Sequence, residues 1–234
     1  MANSYFQFKQ FTVWHDKCAM KVGTDGVLLG AWAPAKDALR ILDIGTGTGL
    51  VALMLAQRSQ ATIAALEIDK DASIQAIENI ERSPWQSRIE VVRADFKSYR
   101  PALAFDLIVS NPPYFIDSMK CPDGQRSTAR HTNELSYEDL IEGVSALLGH
   151  NGTFCIVIPT DVSEKVKSIA LEYHLYPERQ LFVITKPGAA PKRTLINFTF
   201  KEQDCYTEEL LTEISRHQYS QEYIALTKDY YMKL

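Results

Sequence analysis

LRILDIGTGTGLVALMLA, residues 39–56, carries a strand, a glycine turn and a helix in eighteen consecutive positions. An apolar run ends at Asp43, glycines alternate at Gly45, Gly47 and Gly49, and an apolar helix-forming segment begins at Leu50. Glycine lacks a Cβ, so the chain can turn tightly there and let a ligand approach the backbone. In open α/β sheets such a turn lies at the carboxyl ends of the strands, where ligands bind. The spacing is GxGxG, and Leu50 stands where a dinucleotide fingerprint would place its third glycine. An acid at Asp43 would also repel a pyrophosphate.

Beyond the turn, short β-prone runs alternate with longer amphipathic ones, the pattern of parallel strands joined by crossover helices. Strands are expected at residues 39–43, 62–67, 89–92, 105–110 and 153–158, and helices at 50–58, 71–82, 137–148 and 161–173. Before them, FQFKQFTVWHD predicts two short strands turning near Lys9 and Gln10. KVGTDGVLLGAWA predicts a helix capped by Thr24 or Asp25 and ended by Pro34. Late in the chain, LFVITKPGAAPKRTLINFTF reads as two β segments around a Pro, Gly and Lys turn, an antiparallel pair.

Three acids are expected around the glycine turn. Asp43 beside it attracts a cationic group. Glu67, with Ile68 after it, ends the second strand eighteen residues past Gly49, where such folds place a carboxylate against ribose hydroxyls. Asp95 follows the third strand and can accept from an adenine amino group while Phe96 lies on the ring. S-adenosylmethionine has no phosphate and carries a cationic amino group, so an acid beside the glycine turn attracts it rather than repelling it. Asp69 is read chiefly as a helix cap.

The fourth strand, FDLIVS, runs into Asn111, Pro112, Pro113 and Tyr114 at the same sheet edge. Consecutive prolines fix their φ angles and hold the Asn111 amide and the Pro112 carbonyl in a fork of acceptors. Such a fork orients a planar amine without a strong base, and Tyr114 supplies a stacking surface. The exocyclic N6 of an adenine and a side-chain amide are both amines of this kind.

With 234 residues, 46% of them hydrophobic, the chain fits one α/β domain over residues 1–234, with the hairpin and first helix as an extension at about 1–35. No signal-like start and no long apolar run is present, so a cytoplasmic protein is expected. Four scattered cysteines, Cys18, Cys121, Cys155 and Cys205, read as reduced thiols, and no metal-ligand spacing is seen. A net charge of −4 excludes nucleic-acid binding by overall field, leaving a local basic patch. Candidates for it are Lys120, Arg126, Arg130 and His131 after the proline turn and Lys186, Lys192 and Arg193 in the late turn.

Nearly the whole chain resembles the bacterial tRNA (adenine-N6)-methyltransferases that modify valine tRNA beside its anticodon. The likeness runs through FKQFTVWHDKCAMKVGTDGVLLGAW, LDIGTGTG, SNPPYF, RSTARH and the terminal LTKDYYMKL. It implies an α/β, Rossmann-like class I methyltransferase fold: a seven-stranded, mostly parallel sheet with an antiparallel C-terminal strand pair and helices on both faces. It also implies S-adenosylmethionine as cofactor and adenine 37 of tRNA as acceptor, with no obligatory protein partner and a monomeric state. Thr24 and Asp25 should border the cofactor pocket; Asp43, Gly45, Gly47, Gly49, Glu67, Ile68, Asp95, Phe96 and Asn111 should line it. Asn111, Pro112, Pro113 and Tyr114 should grip the adenine, and Lys120, Arg126, Arg130, Lys192 and Arg193 should meet the RNA. Relatives sharing the proline turn act on rRNA, DNA adenine or a release-factor glutamine; the glutamine enzymes carry a helical domain ahead of the glycine turn, which the hairpin and single helix here do not match.

Overall fold

The computed structural model describes residues 3–18, 20–113, 135–216 and 218–233. A short hairpin, β1 (Tyr5–Gln7) and β2 (Thr12–Trp14), leads to α1 (Thr24–Trp32). Then come β3 (Arg40–Ile44), α2 (Leu50–Arg58), β4 (Thr62–Glu67), α3 (Lys70–Glu81), β5 (Ile89–Arg93) and β6 (Phe105–Ser110). The second half adds α4 (Tyr137–Leu147), β7 (Leu148–Pro159), α5 (Ser163–Glu172), β8 (Tyr176–Ile184), β9 (Arg193–Thr199) and β10 (Tyr206–Leu211). The small pair β11 (Glu213–Ser215) and β12 (Gln218–Tyr219) precedes α6 (Gln221–Thr227).

The main sheet has eight strands in the order β10-β8-β9-β7-β6-β3-β4-β5. The chain starts at β3, winds outward through β4 and β5, then returns to lay β6 on the other side of β3. The crevice between β3 and β6 is therefore the topological switch point, where open sheets of this kind bind ligands. The expected antiparallel pair exists as β8 and β9, but β9 slots between β7 and β8 and runs antiparallel to both. The sequence predicts seven strands; the eighth is β10, which pairs in parallel with β8 at the far edge. Its YTEELL is short and half acidic or polar, because an edge strand on that side buries little beyond Leu210.

Side-chain alternation sorts the core onto the two sheet faces. In β3, Ile41 joins the layer under α1, α2 and α3, whereas Leu42 and Ile44 join the layer under α4 and α5. In β7, Cys155 and Val157 face the first layer and Phe154, Ile156 and Ile158 the second. Helix α2 is buried along its whole first two turns, from Leu50 to Ala56, because the sheet lies beneath it and α1 above.

Two helix starts differ in kind. Asp69 caps α3, its carboxylate accepting from the Ala72 N–H at 2.8 Å, as its position predicts. Helix α1 instead begins after Gly23, which makes no side-chain cap bond, so neither Thr24 nor Asp25 is the cap expected of them. Pro34 does follow the end of the helix, at Trp32. The hairpin is fastened to α3 by Asn79, which accepts from the Trp14 N–H and donates to the Trp14 carbonyl. The tyrosines near residue 230 pack inward: Tyr223 and Tyr230 are buried, and the Tyr230 hydroxyl donates to the Met54 carbonyl.

Where α1 crosses α2, Gly30 is a contact point. A Cβ built on it falls 2.8 Å from Met54 Cβ and 2.9 Å from Met54 Sδ. Alanine favours helix over glycine by roughly 0.8 to 1 kcal/mol, but overpacking a close contact costs about 1 to 3 kcal/mol. Gly30→Ala is therefore expected to destabilise the protein on balance, by about 1 kcal/mol, read as a lower urea midpoint at unchanged m-value. A midpoint at or above that of the parent would refute this packing account.

Candidate cofactor and acceptor site

The glycine turn follows β3 with φ of +71° at Gly45, +57° at Gly47 and +82° at Gly49. These left-handed values are costly for any residue with a Cβ. The turn is pinned from several directions. The N–H groups of Gly45 and Thr46 both donate to the Leu66 carbonyl at 2.9 Å. Gly47 N–H donates to Glu67 Oε2 at 2.8 Å, while Asp69 N–H donates to Glu67 Oε1 at 2.9 Å. Asn79 Nδ2 donates to the Thr48 carbonyl at 2.8 Å. A Cβ built on Gly45 or Gly47 meets nothing within 4 Å, whereas one on Gly49 lies 3.5 Å from Ile80 and 3.6 Å from Ala76. The first two glycines thus open onto empty space, and the third packs over α3.

That space is a cavity of about 390 Å³. Its walls include Gly45, Gly47, Glu67, Ile68, Asp95, Phe96, Asn111 and Pro113. The sequence reading thus places most of its expected residues around one hollow. Asp95 caps a single turn, Oδ1 accepting from the Lys97 N–H at 2.9 Å, and so is held at the rim. Phe96 is buried against Gly143, where a Cβ would fall 2.5 Å from its ring. Ile68 remains 53% exposed and presents an apolar face to the opening.

Other expected residues lie elsewhere. Asp43 is not in the cavity wall; it is 1% exposed, and its Oδ2 accepts from the Thr46 hydroxyl at 2.6 Å and the Ala52 N–H at 3.2 Å. It ties the turn to the start of α2. Gly49 caps α2 rather than facing the hollow. Thr24 lines a different cavity, and Asp25 is paired with Arg193 across 2.9 Å, so neither borders the main hollow and Arg193 already has a carboxylate partner. Pro112 is buried beneath Asn111 and Pro113, and Lys192 is exposed. Tyr114, Lys120, Cys121, Arg126, Arg130 and His131 lie outside the described residues.

The cavity also has a wall that the sequence did not announce, formed by Cys18 and Met20. These follow the hairpin, and the Lys17 N–H donates to Gln75 Oε1 at 2.9 Å, with a Lys17–Glu78 ion pair beside it. Nothing periodic marks Lys17, Cys18 and Met20, because Lys17 is positioned by side chains on α3 nearly sixty residues away.

The arrangement fits S-adenosylmethionine. Two glycines leave room that a Cβ would fill, acidic groups stand at the turn and rim, and Ile68 with Phe96 offers apolar surface for a ring. Residues 21–185 match the model of the methyltransferase small domain family. A Bacteroides fragilis protein, "tRNA1(Val) (adenine(37)-N6)-methyltransferase", is 67% identical, the match covering all of both chains. A protein of the same description from Tolumonas auensis is 44% identical over all of this chain and 99% of its own. The chain belongs to this methyltransferase family. Solved structures agree on the fold: a predicted O-methyltransferase from Agrobacterium tumefaciens superposes with a TM-score of 0.69 at 19% identity, covering 87% of this chain and 95% of that one. An N-methyltransferase from Bradyrhizobium japonicum, solved with S-adenosyl-L-homocysteine, gives 0.57 at 18% identity over 76% and 86% of the two chains.

In this family member the buried acid under the turn has a titration consequence. Burial pushes the Asp43 carboxyl up to about 7, against the Thr46 and Ala52 hydrogen bonds that lower it and with the Glu67 charge that raises it. The folded protein then holds a proton that the unfolded chain releases near pH 4, so this stabilisation is full below about pH 4 and is lost as the pH rises through about 7. Asp43→Asn is expected to flatten that limb of the stability–pH curve, measured by urea unfolding of the cofactor-free protein from about pH 4.5 to 8. An unchanged slope would show that Asp43 is ionised throughout.

Proposed function

We propose that the protein transfers a methyl group from S-adenosylmethionine to the exocyclic N6 of an adenine in tRNA, at position 37 beside the anticodon of a valine tRNA. The observation that carries this reading is that Asn111 and Pro113 share a single cavity with Gly45, Gly47 and Glu67. Acceptor fork and cofactor turn thus meet in one hollow at the switch point. The full-length likeness to relatives described as acting on that nucleotide supports the choice of substrate. The hollow is walled by turns at the carboxyl edge of one continuous sheet together with Cys18 and Met20 after the hairpin and Ala72 on α3, which supports reading residues 1–234 as a single domain; on this reading the protein works as a monomer in the cytoplasm. Among the described residues no helix is long and apolar enough to cross a membrane.

Bound in the hollow, S-adenosylmethionine supplies an electrophilic sulfonium methyl. Gly45 and Gly47, which leave open space where a Cβ would stand, would hold its amino-acid end by close backbone approach. Glu67 spends one lone pair of each oxygen on backbone N–H groups and keeps others for the ribose hydroxyls. Asp95 at the rim would accept from the adenine amino group, and Ile68 and Phe96 would offer apolar surface to the ring. On the acceptor side, the Asn111 side-chain oxygen and the Pro112 carbonyl accept the two hydrogens of the target NH₂, which turns the nitrogen lone pair out of conjugation and toward the methyl. Tyr114, outside the described residues, is the ring that this reading assigns to stacking on the extruded base.

The test is to incubate the purified protein with labelled S-adenosylmethionine and, separately, tRNA lacking the modification, rRNA, DNA and release factor, and to identify the product by mass spectrometry. N6-methyladenosine in tRNA at position 37 is expected; label on a glutamine or in DNA alone would overturn the substrate. Two substitutions should separate the halves of the site. Asn111→Ala lowers kcat about 100-fold or more while calorimetric cofactor affinity stays near that of the parent. Gly47→Ala does the reverse, weakening cofactor binding by about tenfold or more, since a left-handed φ costs roughly 1 to 2 kcal/mol with a Cβ and the new methyl occupies the hollow. Equal loss of both quantities in either variant would contradict this division.

A further inference from the structure

A second cavity, of about 330 Å³, opens beside the start of α1 and is distinct from the cofactor hollow. Its surface is aromatic: Phe6 from the hairpin, Tyr219 from β12, Tyr223 from α6 and Tyr231 beyond it all line it. Tyr219 stacks on Tyr223 with centroids 5.1 Å apart, and Phe6 meets Tyr231 edge-on at 5.9 Å. The innermost ring, Tyr223, is core, but Tyr219 and Tyr231 are half-buried and Phe6 is 36% exposed. Polar groups complete the walls: the Glu213 carboxylate, the Thr24 hydroxyl and the Lys233 ammonium.

The cavity sits close to the acceptor fork. Thr24 lines it, and Gly26, two residues further along the same helix, comes so near the fork that a Cβ built on it is 3.8 Å from Asn111 Nδ2. Two residues span about 3 Å of rise and a little over half a turn, so the cavity and the fork lie on opposite sides of the first turn of α1. On its other side, Thr212 donates to the Thr185 carbonyl at 3.0 Å, which sets the cavity against the loop carrying the exposed Lys186 and Lys192.

We propose that this cavity receives an unstacked nucleobase adjoining the acceptor adenine in the RNA loop. The inference rests on the tRNA reading above. An adenine drawn out to Asn111 leaves its neighbour without a stacking partner, and aromatic side chains are the general means of receiving such a base. Tyr219 and Phe6 supply ring faces and edges. The Glu213 carboxylate accepts from an exocyclic amino or ring N–H group on the edge of the base. Lys233, Lys186 and Lys192 are placed for the phosphates on either side. The site thereby reads the nucleotide next to the target, a specificity element separate from the fork.

The test uses a tRNA anticodon stem-loop in which each nucleotide flanking the acceptor is replaced in turn by an abasic sugar. Steady-state methylation is measured with the parent protein, Tyr219→Leu and Tyr219→Phe. For the parent, one abasic replacement is expected to raise KM about tenfold, the scale of one lost base–aromatic stack, with kcat little changed. Tyr219→Leu should raise KM for intact RNA by a similar factor and then show no further loss with that abasic RNA; Tyr219→Phe, which keeps the ring, should restore the parent value. Phe6→Ala on the exposed rim gives a second variant if Tyr219→Leu does not fold. Losses that simply multiply between variant and abasic RNA would overturn the pocket while leaving the substrate reading intact. Failure of the parent to methylate the intact stem-loop would overturn the substrate reading, and this occupant with it.

Discussion

The Glu67 carboxylate holds two loops at once. One oxygen accepts from Gly47 in the turn after β3, the other from Asp69 in the turn after β4. Both turns leave the sheet at its carboxyl edge, where Gly45 and Thr46 still reach the Leu66 carbonyl but Gly47 and Asp69 rely on the Glu67 side chain for an acceptor. A buried N–H without an acceptor costs about 1 to 3 kcal/mol, so the glycine turn depends on an acceptor arriving from the neighbouring strand. Glu67 is 8% exposed and lines the hollow. The same side chain that shapes the empty site is thus presented to whatever fills it.

Around that clamp the two sheet faces have different duties. The layer under α4 and α5 is a conventional apolar packing, interrupted near the site only by Phe96 wedged against Gly143. The other layer, under α1 to α3, carries the positioning contacts: Asn79 bridges Trp14 and Thr48, Gln75 receives Lys17, and Asp43 receives Thr46 and Ala52. These bonds join the hairpin to the glycine turn through α3. The N-terminal extension is therefore continuous with the cofactor wall, to which it brings Cys18 and Met20.

Local patterns were legible in the sequence where local physics decided the outcome. Strands β4 and β6 and helix α2 fall at the residues expected from apolar periodicity, and the cap at Asp69 is where its spacing puts it. The glycine turn and the proline turn were legible because each has few ways to be built. What escaped was set by distant partners. Arg193 reads as a phosphate ligand until Asp25, 168 residues earlier, is seen beside it. Asp43 reads as a pocket acid because its position is right, yet Thr46 and Ala52 take its Oδ2 inside the turn. Strand β10 escaped because its polar, acidic edge lacks the alternation that marks a strand with a buried face.

The closure of the first hairpin onto the far end of the chain has a consequence for how the protein is made. Phe8 bridges to Tyr231, and the Lys9 ammonium donates to the Lys228 carbonyl at 2.6 Å across 219 residues of sequence. Chains emerge from the ribosome amino end first, so the hairpin waits for 219 further residues before this partner exists. Until then Phe8 and the outer side of α1 lack their cover. Helix α6 and the residues after it are in this sense the latch of the assembly, and their arrival completes the packing around the hairpin and α1.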